Sequence, residues 1–375
     1  MHKININQLI FVALAVFLVT SGIIALSGFA SAISYNETAA IVILSILLSL
    51  YVKNRKIEYA NTKLGFVNLG ASFFFLMLMI VYEAPLIFAT NILTIFGLFG
   101  FIFLLKEVPW GIMEYRNTGH IFCVTSLCIM YLLLPGKAMS GWNPNSSICV
   151  FAPFLLGICL LCISKSSLIQ KVTIYFYFFV AFSLQLSLEN RSTFLALLFF
   201  LIIVISKWYL KRTFCLLLTL GTLILNFSLP VFQTLISNNV LFQTVSSILM
   251  ESFNKSALNG RDEIWPIAMT RIAEFPLIGN PNSRQFYFHN FSIDVLLQFG
   301  LLGLVTWMLS VWYMVKNNVR HAGEENIFFT AFSMVVFINT FENVLFANNY
   351  LMPLPYALIA IPIYLKQRET SYEKK

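Results

Sequence analysis

Charge is what this sequence has least of. Asp, Glu, Lys and Arg make up 11% of its 375 residues, where a soluble globular domain carries about 25%. Apolar residues make up 59% and the mean hydropathy is +0.81. So little polar surface cannot cover a water-soluble fold, and a soluble enzyme is excluded. Low-complexity tracts and clear internal repeats are also missing, which argues against the repeat-built halves common in secondary transporters. Cysteine is sparse, with six residues, all in apolar runs. Cys159 and Cys162 form a C-x-x-C, but no second pair and no histidine accompanies them. One helical turn apart in an apolar segment, they read as packing residues and imply no metal.

What the sequence has is long apolar runs. A membrane-spanning helix needs about 20 mostly apolar residues. By that rule candidate spans fall near 9–30, 38–52, 64–82, 86–105, 119–135, 147–163, 171–187, 193–209, 213–230, 292–315, 327–346 and 352–365. The runs repeat along the whole chain, so residues 1–375 read as a single membrane domain. The expected fold is an all-α polytopic membrane protein of about twelve transmembrane helices. The first apolar run, with Lys3 before it and Ala30-Ser31-Ala32 after it, imitates a signal peptide. Its length favours a retained helix. Placing the N-terminus inside puts eighteen of the 24 Lys and Arg residues on the inner side, as the positive-inside rule requires. Both termini are then cytoplasmic, and the formal charge of +8 is a topology signal that implies no nucleic acid. Trp110, Trp142, Trp208 and Trp312 fall near span ends, as interfacial aromatics do.

One outer connection is much longer than the others. Residues 231–291, between the ninth and tenth spans, form an extracytoplasmic loop. A loop of this length is unusual unless functional, and this one has helical signals. Phe232 to Phe253 is semi-apolar and suits a helix lying along the membrane surface. Asn259 or Gly260 can cap a second helix whose start carries Asp262 and Glu263. Ile264, Ile267, Ala268 and Ile272 give that helix an apolar stripe, and Pro276 and Gly279 stop it. Ser292 is the expected N-cap of the tenth span, with His289 just before it. A helix N-terminus disfavours a protonated imidazole, and a neutral histidine there can act as a base. Two further charges stand out. Arg191 lies in the short outer hairpin Leu188-Glu189-Asn190-Arg191-Ser192-Thr193, against the inside bias of the other cations. Glu342 lies within or at the outer end of the eleventh span, where an acid is costly and suggests function.

These residues resemble the O-antigen ligase and polymerase superfamily of bacterial surface-polysaccharide assembly. The resemblance rests on Asn190-Arg191-Ser192-Thr193 before an apolar helix, Gly260-Arg261 and Ile264-Trp265 opening a loop helix, and Pro276-Leu277-Ile278-Gly279. His289-Asn290 followed by Gly300-Leu301-Leu302-Gly303 completes it. Their order and the long loop between spans nine and ten agree as well. The motif-bearing part covers about a third of the chain.

The resemblance implies a GT-C-like fold and a metal-independent glycosyltransferase, without cofactor, at the outer, periplasmic face of the bacterial inner membrane. Donor and acceptor would be oligosaccharides on undecaprenyl pyrophosphate, the surroundings membrane lipid, and a chain-length regulator a candidate partner. Arg191 and Arg261 match the arginines that hold the pyrophosphate, for which a guanidinium is well shaped. His289 matches the histidine that takes the acceptor hydroxyl's proton, and Glu342 has an acidic counterpart in some members. Arg271, Arg284 and Asn290 are supporting candidates. Ligases often carry a second histidine where this chain has Tyr287, which favours a polymerase over a ligase transferring glycan to lipid A core. A further family glycine is replaced by Pro281. A lipid-linked oligosaccharide flippase is the alternative from another class, but the unusual charges cluster at the outer face, not at mid-membrane.

Overall fold

Backbone N–H and C=O groups in apolar surroundings find no water, so a chain this poor in polar residues must pair them within helices. The computed structural model describes residues 62–83, 91, 92, 95, 112–134, 150–164, 167–253, 258, 260–282, 288–342 and 353–372. Every regular element among these residues is helical. In chain order they are α1 (Thr62–Val81), α2 (Ile112–Leu132), α3 (Phe151–Ile163), α4 (Leu168–Ser187) and α5 (Arg191–Ser206). Then come α6 (Arg212–Val231), α7 (Gln233–Ser237), α8 (Val240–Phe253), α9 (Arg261–Glu274), α10 (Phe291–Asn318), α11 (Asn326–Ile338) and α12 (Pro353–Tyr372). Three of them, α4, α6 and α10, are long and apolar enough to cross a membrane. The expected spans 9–30 and 38–52, and most of 86–105, lie outside the described residues.

The expected apolar segments from 64 onward otherwise coincide with helices, although the helix expected over 119–135 starts earlier, at Ile112, and the one expected over 352–365 runs on to Tyr372; three differences are instructive. The helix expected over 327–346 ends at Ile338, because tight turns follow: Thr340 N–H bonds to Phe337 C=O and Phe341 N–H to Ile338 C=O. Glu342 therefore stands on a turn beyond α11, not within it. In the long loop, α9 turns most of the expected stripe inward: Ala268 is buried, Ile264 and Ile272 are partly buried against the core, and Ile267 faces outward. Arg261 and Trp265 share that inner face, where the large ring of Trp265 buries much apolar area. Trp265 also donates to Phe288 C=O at 2.8 Å. The third difference is the cap of α10, described with the site below.

At the centre lies α11, whose residues from Asn326 to Val336 are all buried. It packs against α3, α5, α6 and α12. A polar ladder ties it to α6: Cys215 Sγ to Thr330 Oγ1 at 3.8 Å, Thr219 Oγ1 to Ser333 Oγ at 2.9 Å, and Asn226 Nδ2 to Val336 C=O at 3.2 Å. Such bonds join helices where there is no water to drive apolar association. At one end of the bundle Arg212 reaches His321 and the Lys316 carbonyl. At the opposite end of α6, Asn226 bonds Ser292 of α10. The cations Lys207, Lys211, Arg212, Lys316 and Arg320 thus share the end away from His289. On the outer surface, α8 exposes Val240, Leu241, Val245 and Ile248, which fits the semi-apolar helix read in the sequence.

Helix α10 is broken at Gly300 (φ 60°, ψ −166°). The freed groups are paired by the chain that follows α9: Leu301 N–H bonds to Pro276 C=O at 2.8 Å, Leu302 N–H to Leu277 C=O at 3.0 Å, and Asn280 N–H to Leu297 C=O at 2.7 Å. The Pro276–Gly279 and Gly300–Gly303 motifs are thus two halves of one joint, and it fixes where α9 sits. The approach is closest at Gly279 and Gly300. A Cβ on Gly279 would lie 2.4 Å from the Gln298 carbonyl carbon, and one on Gly300 would lie 2.4 Å from the Leu277 carbonyl. Both residues also have positive φ. Gly279→Ala and Gly300→Ala are each expected to destabilise the protein by about 2–4 kcal/mol. Gly221→Ala, with open space around it, should be neutral or slightly stabilising. Thermal unfolding of the purified protein in detergent checks the contrast.

Candidate functional site

Three helix N-termini each carry a basic side chain or a histidine. Asn190 caps α5, its side chain accepting from Thr193 N–H at 3.3 Å, and this makes Arg191 the first helical residue. Gly260, in the left-handed region at φ 81°, turns the chain into α9 and makes Arg261 its first residue. Asn290, not Ser292, caps α10: its Oδ1 accepts from Ile293 N–H at 2.9 Å. The expectation for Ser292 fails because its hydroxyl and N–H are both held by Asn226 Oδ1. His289 directly precedes that cap. A cation at a helix N-terminus opposes the helix dipole. Arg191 and Arg261 therefore add their positive charge to ends that already favour anions.

Glu342 joins two of these groups. Its Oε1 accepts from Arg261 Nη2 at 2.7 Å, and its Oε2 lies 2.8 Å from His289 Nδ1. A carboxylate paired with a guanidinium only accepts. His289 Nδ1 is therefore the donor in this bond, which in a neutral imidazole leaves Nε2 as the acceptor. The Glu342 and Arg261 side chains are 10% and 7% exposed, against 28% for the imidazole. Arg261 also donates to Leu258 C=O at 3.0 Å and to Phe341 C=O. Three of its five N–H groups are thus spent on the protein, and its buried Nε–H has no partner among the described residues. Burial pulls the Arg261 guanidinium below its ordinary pKa, while the charge and hydrogen bond of Glu342 push it back up. Arg191 is half-buried and close enough to feel the like charge of Arg261.

The backbone between these side chains is pinned. His289 has φ 53°, a left-handed conformation uncommon for a residue with a Cβ. Beside it, Asn290 Nδ2 donates to Asn226 C=O at 3.1 Å and Thr340 C=O at 3.0 Å, and Phe291 N–H donates to Asn339 C=O at 3.0 Å. Of the sequence-expected residues, the structure therefore brings together Arg191, Arg261, His289, Asn290 and Glu342. Arg271 is exposed in the last turn of α9, and Arg284 lies outside the described residues. Asn226 was missed. An asparagine inside an otherwise apolar helix is itself a signal, but it does not reveal its partner. Among the described residues no group of three or more His, Cys, Asp or Glu side chains is arranged around one point as metal ligands would be.

Breaking a buried ion pair from one side leaves an uncompensated charge, which costs about 3–5 kcal/mol. Glu342→Ala is expected to destabilise the protein by that order. Arg261→Met combined with Glu342→Leu should regain most of the loss, because apolar replacement of both partners removes the stranded charge. Unfolding midpoints of Glu342→Leu, Arg261→Met and the double in detergent give the coupling energy, and strictly additive losses would contradict the pairing. No family model, curated protein or solved structure matches the chain, so the functional reading rests on the site.

Proposed function

We propose that the chain is a surface-polysaccharide polymerase. It would join undecaprenyl-pyrophosphate-linked repeat units by glycosyl transfer. The supporting observation is the chain Arg261–Glu342–His289 with Arg191 beside it, which sets an oriented imidazole next to guanidiniums at helix N-termini. In this reading the protein crosses the bacterial inner membrane about twelve times, both termini are cytoplasmic, and residues 231–291 are extracytoplasmic. The sorting of cations between the two ends of the bundle supports that orientation.

The chemistry is a direct displacement. His289 Nε2 takes the proton from the acceptor sugar hydroxyl, and that oxygen attacks the donor's anomeric carbon. The bond from this carbon to the pyrophosphate oxygen breaks, and undecaprenyl pyrophosphate leaves with the electron pair, inverting the configuration. Glu342 holds the imidazole in the tautomer the step needs and stabilises the imidazolium that results, as buried carboxylates do for other histidine bases. In this reading Arg191, half-buried at its helix start, contacts the pyrophosphate. Arg261, with three donors spent on the protein, contributes mainly charge and the fixed position of Glu342. Such a base contributes about 10²–10⁴ in rate, and preorganised positive charge on a departing anion about 10²–10³ per group.

The test is polymer growth on gels, from purified protein and a synthetic undecaprenyl-pyrophosphate-linked repeat. A ladder is expected without lipid A core, reduced about 10²–10⁴-fold by His289→Ala and about 10²–10³-fold by Arg191→Ala. Transfer that requires lipid A core would make the protein a ligase. Movement of lipid-linked glycan across vesicles, with no new glycosidic bond, would make it a transporter and sink the polymerase reading.

A further inference from the structure

The carbonyl that receives Asn290 is available because of a proline one turn away. Pro230 lies inside α6. In an α-helix the N–H of a residue bonds to the C=O four residues earlier, so residue 230 would serve Asn226. Proline has no N–H, and the Asn226 carbonyl is left without its intrahelical donor. In the structure that carbonyl accepts instead from Asn290 Nδ2 at 3.1 Å. The same residue's side chain faces the same way: Asn226 Oδ1 takes both the N–H and the hydroxyl of Ser292, while Nδ2 donates to Val336 C=O at 3.2 Å. Asn226 is 1% exposed and Asn290 0%, so water does not compete for these bonds.

We infer that Asn226 and Pro230 form a positioning device for His289, in which a gap made in one helix's hydrogen bonding captures the residue that follows the base. The inference rests on the reading of His289 as the base. Its structural content is that the capture holds the left-handed turn at His289. Asn290 is clamped between Asn226 C=O and Thr340 C=O, and Thr340 is two residues from Glu342. The clamp therefore fixes the spacing between the imidazole and the carboxylate that orients it. Neither Asn226 nor Pro230 touches substrate in this arrangement. Their effect is transmitted through Asn290.

Pro230→Ala separates positioning from mere stability. Alanine restores the N–H at 230, which competes with Asn290 for the Asn226 carbonyl, and it removes a residue that is unfavourable in a helix interior. The variant should melt no lower than the wild type and yet lose kcat about 10-fold or more, with KM for the lipid-linked donor changed less than about twofold. Asn226→Ala should lose kcat at least as strongly. The second readout needs no turnover: carbethoxylation of His289 by diethyl pyrocarbonate, followed by mass spectrometry of its peptide, should speed up in both variants. Unchanged kcat and unchanged His289 reactivity in Pro230→Ala would overturn the inference. So would an Asn226→Ala loss that only tracks a lower melting temperature. Faster His289 modification in both variants of a protein that polymerises no lipid-linked repeat would keep the clamp and discard the polymerase reading.

Discussion

A single carboxylate organises the candidate site. Glu342 has two oxygens, and each is used by a group from a different part of the chain: Arg261 from the start of the loop helix, and His289 from the start of α10. Neither partner could take its present place without it. Arg261 would be a buried cation whose desolvation is only partly offset by carbonyl dipoles. The imidazole would lose the carboxylate that fixes which nitrogen carries the proton. The position of Glu342 in turn depends on α11 stopping at Ile338, since another turn of helix would carry the carboxylate away from both.

The same constraint recurs wherever a helix is interrupted. In apolar surroundings a freed backbone group has no water, so each break demands a partner from elsewhere in the chain. Gly300 breaks α10, and the residues after α9 supply the pairing. Pro230 breaks the hydrogen bonding of α6, and Asn290 supplies the pairing. These two breaks attach the long loop and the residue after His289 to the bundle. One fixes the far end of α9, which carries Arg261 at its start; the other fixes the turn that carries His289. The helix defects therefore do for this site what a rigid scaffold does for loops in soluble enzymes.

Much of this was legible in the sequence, and the limits have physical causes. Apolar runs of helical length gave most of the described helices, because composition and length alone decide which segments leave water. Glu342 stood out as an acid where acids are costly, Arg191 as a cation against the inside bias, His289 by its place before a helix start, and Arg261 only through the resemblance. The boundaries were less legible. A window wide enough to span a membrane carried α11 past Ile338, although Asn339 and Thr340 already begin the tight turns that end it. The cap of α10 was misassigned because Ser292 and Asn290 have equal claims by residue type, and only Asn226, over 60 residues away, decides between them. The stripe on α9 was read one residue too wide: Ile264, Ala268 and Ile272 face the core and Ile267 does not, because the inner face is centred on Trp265 and Arg261.

The energetics of the Arg261–Glu342 pair bear on what the site is for. Burying both charges costs several kcal/mol per ion before their attraction is counted, and apolar side chains of similar volume are often as stable or more so. Stability alone is therefore a weak reason for this pair to stand between α9 and the end of α11. A second feature points the same way. Arg261 keeps a buried Nε–H with no partner among the described residues, and His289 holds a left-handed backbone; each is unfavourable by about 1–3 kcal/mol. Unfavourable terms that fall on adjacent residues of one cluster, beside an imidazole more exposed than either of its supports, are expected where geometry is set by chemistry and not by packing.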